Sequence, residues 1–188
     1  MSDTPNAGSA GVSIPGGQAL PGATAAMPPL VLNSQYVRDL SFRVPGAPGI
    51  YAAIGQIRPH ITLGLDVQVR PAQENHPVYE VALLMQCSAT THAPVDGQDA
   101  PPVAFVVELA YCGIFTLQNV EQSLVEPALL AECPRLLFPF ARNVLADITR
   151  EAGFPPVMLQ PIDFVAMWQN RRASAQAPGV QPVAMPAA

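Results

Sequence analysis

The 188-residue chain contains no lysine: all nine of its basic residues are arginine. That absence excludes Schiff-base chemistry and the phosphate-binding loop that closes on Lys-Ser or Lys-Thr. Charge of either sign is scarce, at 12% of residues, about half the usual share for a soluble protein. What charge there is favours acid, with fourteen Asp and Glu giving a formal net charge of −5. This argues against a nucleic-acid binder and against an electrostatic membrane anchor. Long apolar runs are also missing. Mean hydropathy is +0.24, yet Pro, Gly or a polar side chain interrupts every stretch before the roughly 20 residues a spanning helix needs. The opening residues have neither a basic region nor a compact apolar run, so no secretory signal is read there. The three cysteines, Cys87, Cys112 and Cys133, fit no Cys-x-x-Cys spacing and read as reduced thiols of a cytoplasmic protein.

Chemistry-bearing motifs are missing too. GxGxxG, GxxxxGK[ST] and GxSxG do not occur. His60, His76 and His92 lie in loops or beside proline, without metal-ligand spacing. Cys87 faces inward by alternation. Cys133 precedes a helix beginning at Pro134, where a thiol can be acidified, but no base accompanies it and packing is the preferred reading. Asp96 and Asp99 flank a hairpin turn. The expectation is therefore a protein that is not an enzyme and holds no metal or cofactor.

Proline is abundant, with 22 residues, so elements are short and turns many. Residues 1–32 carry one charged side chain, Asp3, and residues 173–188 carry none. Both read as flexible tails around a domain at 33–172, whose nine arginines and thirteen acids leave it at −4. Apolar and polar residues alternate over Tyr36–Val44, Ile61–Arg70, Val78–Thr90 and Val103–Tyr111, which predicts four strands. Tyr36, Leu40 and Phe42 are expected on one face of the first strand, with Val37, Asp39 and Ser41 on the other. Short connections suit hairpins between the second, third and fourth strands. Leu137, Phe140, Ala141, Val144, Leu145 and Ile148 then form one helical stripe after Pro134. A helical stretch over Asn119–Ala131 is interrupted by Pro127, and another begins near Pro161 and runs to Arg171. Strands first and helices afterwards imply an α+β fold: a four-stranded antiparallel sheet with helices on one face.

Two features exceed what folding requires. One is a polar sheet face where Asp39 and Glu108 sit beside Val37 and Val106; it reads either as a solvated face or as a docking surface. The other is the apolar link from the first to the second strand, with Ile50, Tyr51, Ile54 and Ile57. It is either a loop packed on its own core or a surface that receives apolar segments of other chains.

Several motifs, in order over about residues 34–171, carry a family resemblance. Gln35-Tyr-Val-Arg-Asp-Leu-Ser-Phe42 with its Pro-Gly-Ala-Pro turn resembles the first strand of the SecB family of bacterial export chaperones. Phe105-Val-Val-Glu-Leu-Ala-Tyr-Cys-Gly-Ile-Phe115 is similar to the fourth strand of that family. Cys133-Pro-Arg-Leu-Leu-Phe-Pro-Phe-Ala-Arg142 resembles the opening of its long helix. Gly153-Phe-Pro-Pro-Val-Met-Leu-Gln-Pro-Ile-Asp-Phe164 matches its last linker and helix start. The resemblance implies an ATP-independent chaperone, a homotetramer built as a dimer of dimers, that binds unfolded preproteins in the cytoplasm and delivers them to the SecA motor. It implies a SecA-docking face at Asp39, Val106 and Glu108, with Arg43 replacing an expected acid. It also implies a client-binding groove bordered by Phe42 and by the crossover loop Val44–Pro59, where Ile54 and Ile57 stand in place of a usual tryptophan. No nucleic acid and no membrane insertion are implied. The alternatives are a SecB-like chaperone dedicated to one client such as an antitoxin, and a small-molecule-binding α+β domain.

Overall fold

Four strands form one antiparallel sheet in the order β1-β4-β3-β2: β1 (Leu30–Arg43), β2 (His60–Pro71), β3 (Val78–Thr90) and β4 (Val103–Leu117). The computed structural model describes residues 29–176, apart from 53, 57, 58, 75 and 98. A four-residue helix, α1 (Gly49–Ala52), lies in the crossover from β1 to β2. Helices α2 (Gln122–Pro127), α3 (Cys133–Glu151) and α4 (Phe164–Gln176) follow the sheet. This is the α+β arrangement expected from the sequence.

The pleat sorts side chains between two faces. On β4, Phe105, Val107, Leu109, Tyr111 and Phe115 point to the helices, opposite Ala89, Cys87, Met85, Leu83 and Tyr79 of β3. Helix α3 lies across β4 and β3 and closes this layer with Leu137, Ala141 and Leu145, all without solvent exposure. The sheet and α3 are tightly packed at Gly113. A Cβ there would lie 2.7 Å from the Phe115 ring and 2.8 Å from a Leu137 methyl.

Strand β1 differs from its expected alternation. Register shifts between Leu32 and Ser34 and between Val37 and Asp39 leave Asn33 and Arg38 as bulge residues. Each bulge flips the pattern beyond it. Val37 therefore shares the helix-side face with Leu40 and Phe42, opposite Tyr111, Leu109 and Val107, while Tyr36 joins Asp39 and Ser41 on the outer face. The same irregularity hides the strand's start. Leu30, Val31 and Leu32 pair with Leu117, Thr116 and Phe115, so β1 begins before residue 33. Helix α4 likewise continues to Gln176, past the expected limit at 172. The rest of the two expected tails, residues 1–28 and 177–188, lies outside the described residues.

The helical layer also departs in detail. Pro127 interrupts the α-helical geometry, as expected, without ending the helical run. It lacks the N–H that would continue the α-helical ladder, and the backbone widens into a π turn over Ala128–Glu132 that runs directly into Cys133. The buried stripe of α3 is Pro134, Leu137, Phe138, Ala141, Leu145 and Thr149. Phe140 falls outside it and is 45% exposed, because helical spacing from Leu137 and Ala141 passes through Phe138 instead. The Thr149 hydroxyl donates to the Leu145 and Ala146 carbonyls and accepts from the Val157 N–H at 3.1 Å, tying the last linker to α3. Asp163 starts α4 by accepting the Ala166 N–H at 2.9 Å.

Two glycines on opposite faces give a direct check of this packing. Gly113→Ala is expected to lower unfolding free energy by about 1–3 kcal/mol, since neither Phe115 nor Leu137 has room to retreat. Gly64→Ala, where the nearest atoms lie at an ordinary 3.7 Å, is expected to be neutral or stabilising by about 0.5 kcal/mol. Urea titrations of the two variants measure the contrast.

Candidate client and partner surfaces

The outer face of the sheet carries the acids singled out in the sequence. By register, Asp39 lies opposite Ala110, Ser41 opposite Glu108 and Arg43 opposite Val106, so Asp39, Val106 and Glu108 share one surface. Asp39 is exposed. Glu108 is not an isolated charge. Arg43 Nη2 lies 3.2 Å from its carboxylate, and Gln86 Nε2 donates to it at 3.4 Å. The arginine that replaces an expected acid thus forms a partly exposed ion pair with an acid of the same face.

A second charged cluster on this face escapes the sequence reading. Glu80 is 5% exposed. One carboxylate oxygen accepts from Arg38 at 2.8 Å, and the other accepts from the Tyr36 hydroxyl at 3.0 Å and from Arg70 at 2.6 Å. Alternation places Arg70 directly opposite Glu80. Arg38 and Tyr36 arrive from β1 on the far side of β4, an approach made at the Arg38 bulge. Burial raises the Glu80 pKa, but the hydrogen bonds from Arg70, Tyr36 and Arg38 outweigh it and hold the carboxyl below its ordinary value. Tyr36 is shifted up, first by burial and then by its bond to Glu80. Cys112 lies opposite Tyr36 and has no exposed surface, although it points to the outer face. Burial pushes its thiol up to about 11 and that of Cys87 also to about 11. Cys133 sits inside the continuous helical run, not at a free N-terminus, and burial pushes it up to about 12. All three are poor nucleophiles at neutral pH.

On the helix side, the crossover segment packs on an aromatic cluster. Phe42 stacks on Phe105 at 5.6 Å, and Phe154 lies 5.0 Å from Phe105 and 5.6 Å from Tyr51. The Tyr51 hydroxyl donates to the Ala152 carbonyl at 3.0 Å, and its ring packs against Gly153, whose φ of +84° suits glycine. Phe42, Ile50 and Ile54 are half-buried against the core, while Tyr51 keeps 39% of its surface exposed. Ile57 lies outside the described residues. The described part of the segment thus packs on its own core and at the same time leaves apolar surface, one aromatic edge above all, open to solvent.

Two open apolar recesses flank α2. One, of about 350 Å³, is lined by Val69, Val125, Leu129 and Leu130 with Gln122 and Glu126. The other, of about 240 Å³, lies between α2 and α4 and includes Leu124, Pro127, Val165 and Trp168. Trp168 Nε1 donates to Glu126 at 3.1 Å, linking the two helices. Arg171 holds α4 to the outer edge of β2 by pairing with Asp66 and by donating to the Val67 carbonyl at 3.3 Å. Sequence reasoning does not find these recesses, because they depend on the α2–α3 continuity. Among the described residues no His, Cys, Asp or Glu group could hold a metal ion, and no helix is long and apolar enough to cross a membrane.

The model of the family described as preprotein translocase subunit SecB matches residues 23–175. The chain belongs to the SecB family. A protein-export protein SecB of Granulibacter bethesdensis is 56% identical over 151 residues, covering 80% of this chain and 86% of that one. Another, of Acidiphilium cryptum, is 53% identical over 152 residues and covers 77% and 90%. Among solved structures, a SecB-like chaperone of Mycobacterium tuberculosis, in complex with a peptide from an antitoxin, matches with a TM-score of 0.55. It covers 71% of this chain and 90% of its own at 14% identity, a likeness of fold. The protein is thus a chaperone of protein export, and SecB is a family of client-binding chaperones, not a class of enzymes. The sheet with helices on one face is the SecB-like fold.

The Glu80 cluster has a stability consequence with a definite sign. A carboxyl whose pKa is depressed on folding stabilises the native state at pH above its unfolded pKa, and this is lost as pH falls through the lower folded value. Glu80→Gln is expected to cost about 1–3 kcal/mol near pH 7 and to flatten the acid limb of the stability curve below the ordinary carboxylate range. Denaturation followed as a function of pH measures both.

Proposed function

We propose that this SecB-family protein is a cytoplasmic holdase that binds unfolded preproteins without nucleotide and passes them to SecA from the opposite side of the sheet. The observation that carries this reading is the two-sidedness of the sheet. Asp39, Val106 and Glu108 lie on the uncovered outer face, while the crossover aromatics and both apolar recesses lie with the helices. A client segment needs apolar contact and no particular sequence, so shallow recesses lined by Leu, Val and Trp suit it. The client surface comprises Phe42, Ile50, Tyr51, Ile54 and Ile57 with the recesses beside α2. Binding only the unfolded chain shifts its folding and aggregation equilibria by mass action. The outer face recruits SecA through a charged patch whose affinity depends on salt.

Assembly as a homotetramer, a dimer of dimers, is supported by apolar surface that one chain leaves uncovered. Val37 and Leu40 on the open edge strand β1 are 42% and 38% exposed, although they sit on the helix-side face. On α3, Leu136 and Phe140 are 37% and 45% exposed, off the stripe packed on the sheet. Several client sites on one particle raise avidity for long chains by effective concentration. A dedicated antitoxin client is the weaker reading, since that solved complex shares only 14% identity, whereas relatives at 56% and 53% are named for protein export.

Light scattering is expected to give the mass of four chains. The purified protein is expected to suppress aggregation of a diluted, denatured preprotein without ATP; a monomer inert towards unfolded chains would overturn the proposal. Glu108→Lys is expected to weaken SecA binding about tenfold or more while leaving client affinity within twofold. Arg43→Ser, which releases Glu108 from an exposed ion pair worth about 0.2–1 kcal/mol, is expected to tighten SecA binding by up to about fivefold. Calorimetric titration at two salt concentrations reads both variants.

A further inference from the structure

The recess between α2 and α4 has an apolar wall on each side. Leu124, Pro127, Ala128 and Ala131 come from α2 and the π turn, and Val165 and Trp168 come from α4. Leu124 is 55% exposed and Val165 42%, so the described residues leave both walls open to solvent. Trp168 is held in place from two sides, by its hydrogen bond to Glu126 and by the Arg172 guanidinium 5.2 Å from its ring. The groove is largely apolar and already formed, and its one charged lining residue, Glu132, is paired with Arg135.

The chain itself supplies a matching segment. Helix α4 is described to Gln176, and the sequence of residues 177–188 reads Ala-Pro-Gly-Val-Gln-Pro-Val-Ala-Met-Pro-Ala-Ala, without a charged side chain. These residues also lie beyond the family match, which stops at 175. We propose that this segment turns back along α4 and seats Val180, Val183 and Met185 in the α2–α4 recess, as a stand-in for a client.

Reach supports it. Trp168 stands eight residues before Gln176, about 12 Å along a helix at 1.5 Å per residue. A proline-punctuated extended chain covers about 3.1 Å per residue, so about four residues make the return. With about three more residues for the turn itself, the chain is level with Trp168 near Val183, with Val180 entering before it and Met185 following along the groove. Three prolines reduce the conformations that must be lost on docking. Tethering keeps the local concentration in the millimolar range, so weak apolar contacts suffice for substantial occupancy. An occupied recess lowers apparent client affinity by the fraction of sites left open. Long clients, which contact several sites at once, displace the segment more readily than short peptides do.

This inference rests on the reading of the α2–α4 recess as part of the client surface, and the test separates the two. Trp168 is the single tryptophan of the chain and forms part of the recess, so its fluorescence reports occupancy in the full-length protein. Combined Val180→Asp, Val183→Asp and Met185→Asp substitutions are expected to shift Trp168 emission to the red and to raise acrylamide quenching about twofold. Calorimetric affinity for reduced, carboxymethylated lactalbumin, which stays unfolded, is expected to rise two- to fivefold. An unchanged Trp168 signal in the triple variant overturns the proposal. So does a Trp168 signal that tracks protein concentration equally in both chains, which would assign the recess to a second copy. Val165→Asp, and Leu124→Ser as a milder change, test the client reading separately. If they leave lactalbumin affinity unaltered while the triple variant still moves Trp168, the segment docks but the recess is not a client site.

Discussion

The alternation of β4 is the constraint on which both surfaces depend. It is a central strand, flanked by β1 and β3, and each of its residues must serve one face or the other. Phe105, Val107, Leu109 and Tyr111 are committed to the helix layer; Val106, Glu108, Ala110 and Cys112 are committed to the outside. A one-residue slip would put Glu108 under α3 and Val107 in solvent, a cost that fixes register strongly. Gly113 sets how near α3 can lie, and α3 in turn places the π turn, α2 and the recesses. The outer face and the helix-side face are therefore two readings of the same strand.

Much of this is legible in the sequence where one face is buried and the pattern is uninterrupted. Strands β2 and β3 show clean alternation, and their observed limits lie close to the expected ones. The same rule places Asp39 and Glu108 on one surface. Strand β1 is not fully legible, because nothing in the residue types of Asn33 or Arg38 announces a bulge, and each bulge inverts the faces beyond it. Phe140 misleads for a different reason: α3 carries apolar residues on two sides, so period alone does not say which stripe meets the sheet. Pro127 has the look of a break because proline usually ends a helix, whereas here the missing N–H is absorbed by a wider turn.

The charged groups show the same division. The pairing of Arg70 with Glu80 is a matter of strand register, but the reach of Tyr36 and Arg38 across β4 requires a small residue at Cys112 and a bulge at Arg38. Arg43 is visible as a departure from the family pattern, yet its partner, Glu108, becomes evident only when β1 and β4 are set side by side. Family membership supplies what the physics leaves open, namely that a chain of this fold is a chaperone of protein export. The geometry adds that Glu108 of the sheet, like Glu80 and Asp66, is already engaged by an arginine of the same chain.

The Glu80 cluster has a mechanical meaning as well. Its donors come from β1 and β2, the two edges of the sheet: those of β1 cross over β4, that of β2 reaches in from the adjacent strand, and they meet on a carboxylate of β3. Backbone hydrogen bonds join only adjacent strands, so a sheet held by them alone can splay or twist at its margins. A tie that runs from one margin to the other works like a crossbar on a panel and resists that torsion. Whatever lands on the outer face near this end meets a stiffened plate, and little of its binding free energy is lost in flattening the surface that receives it.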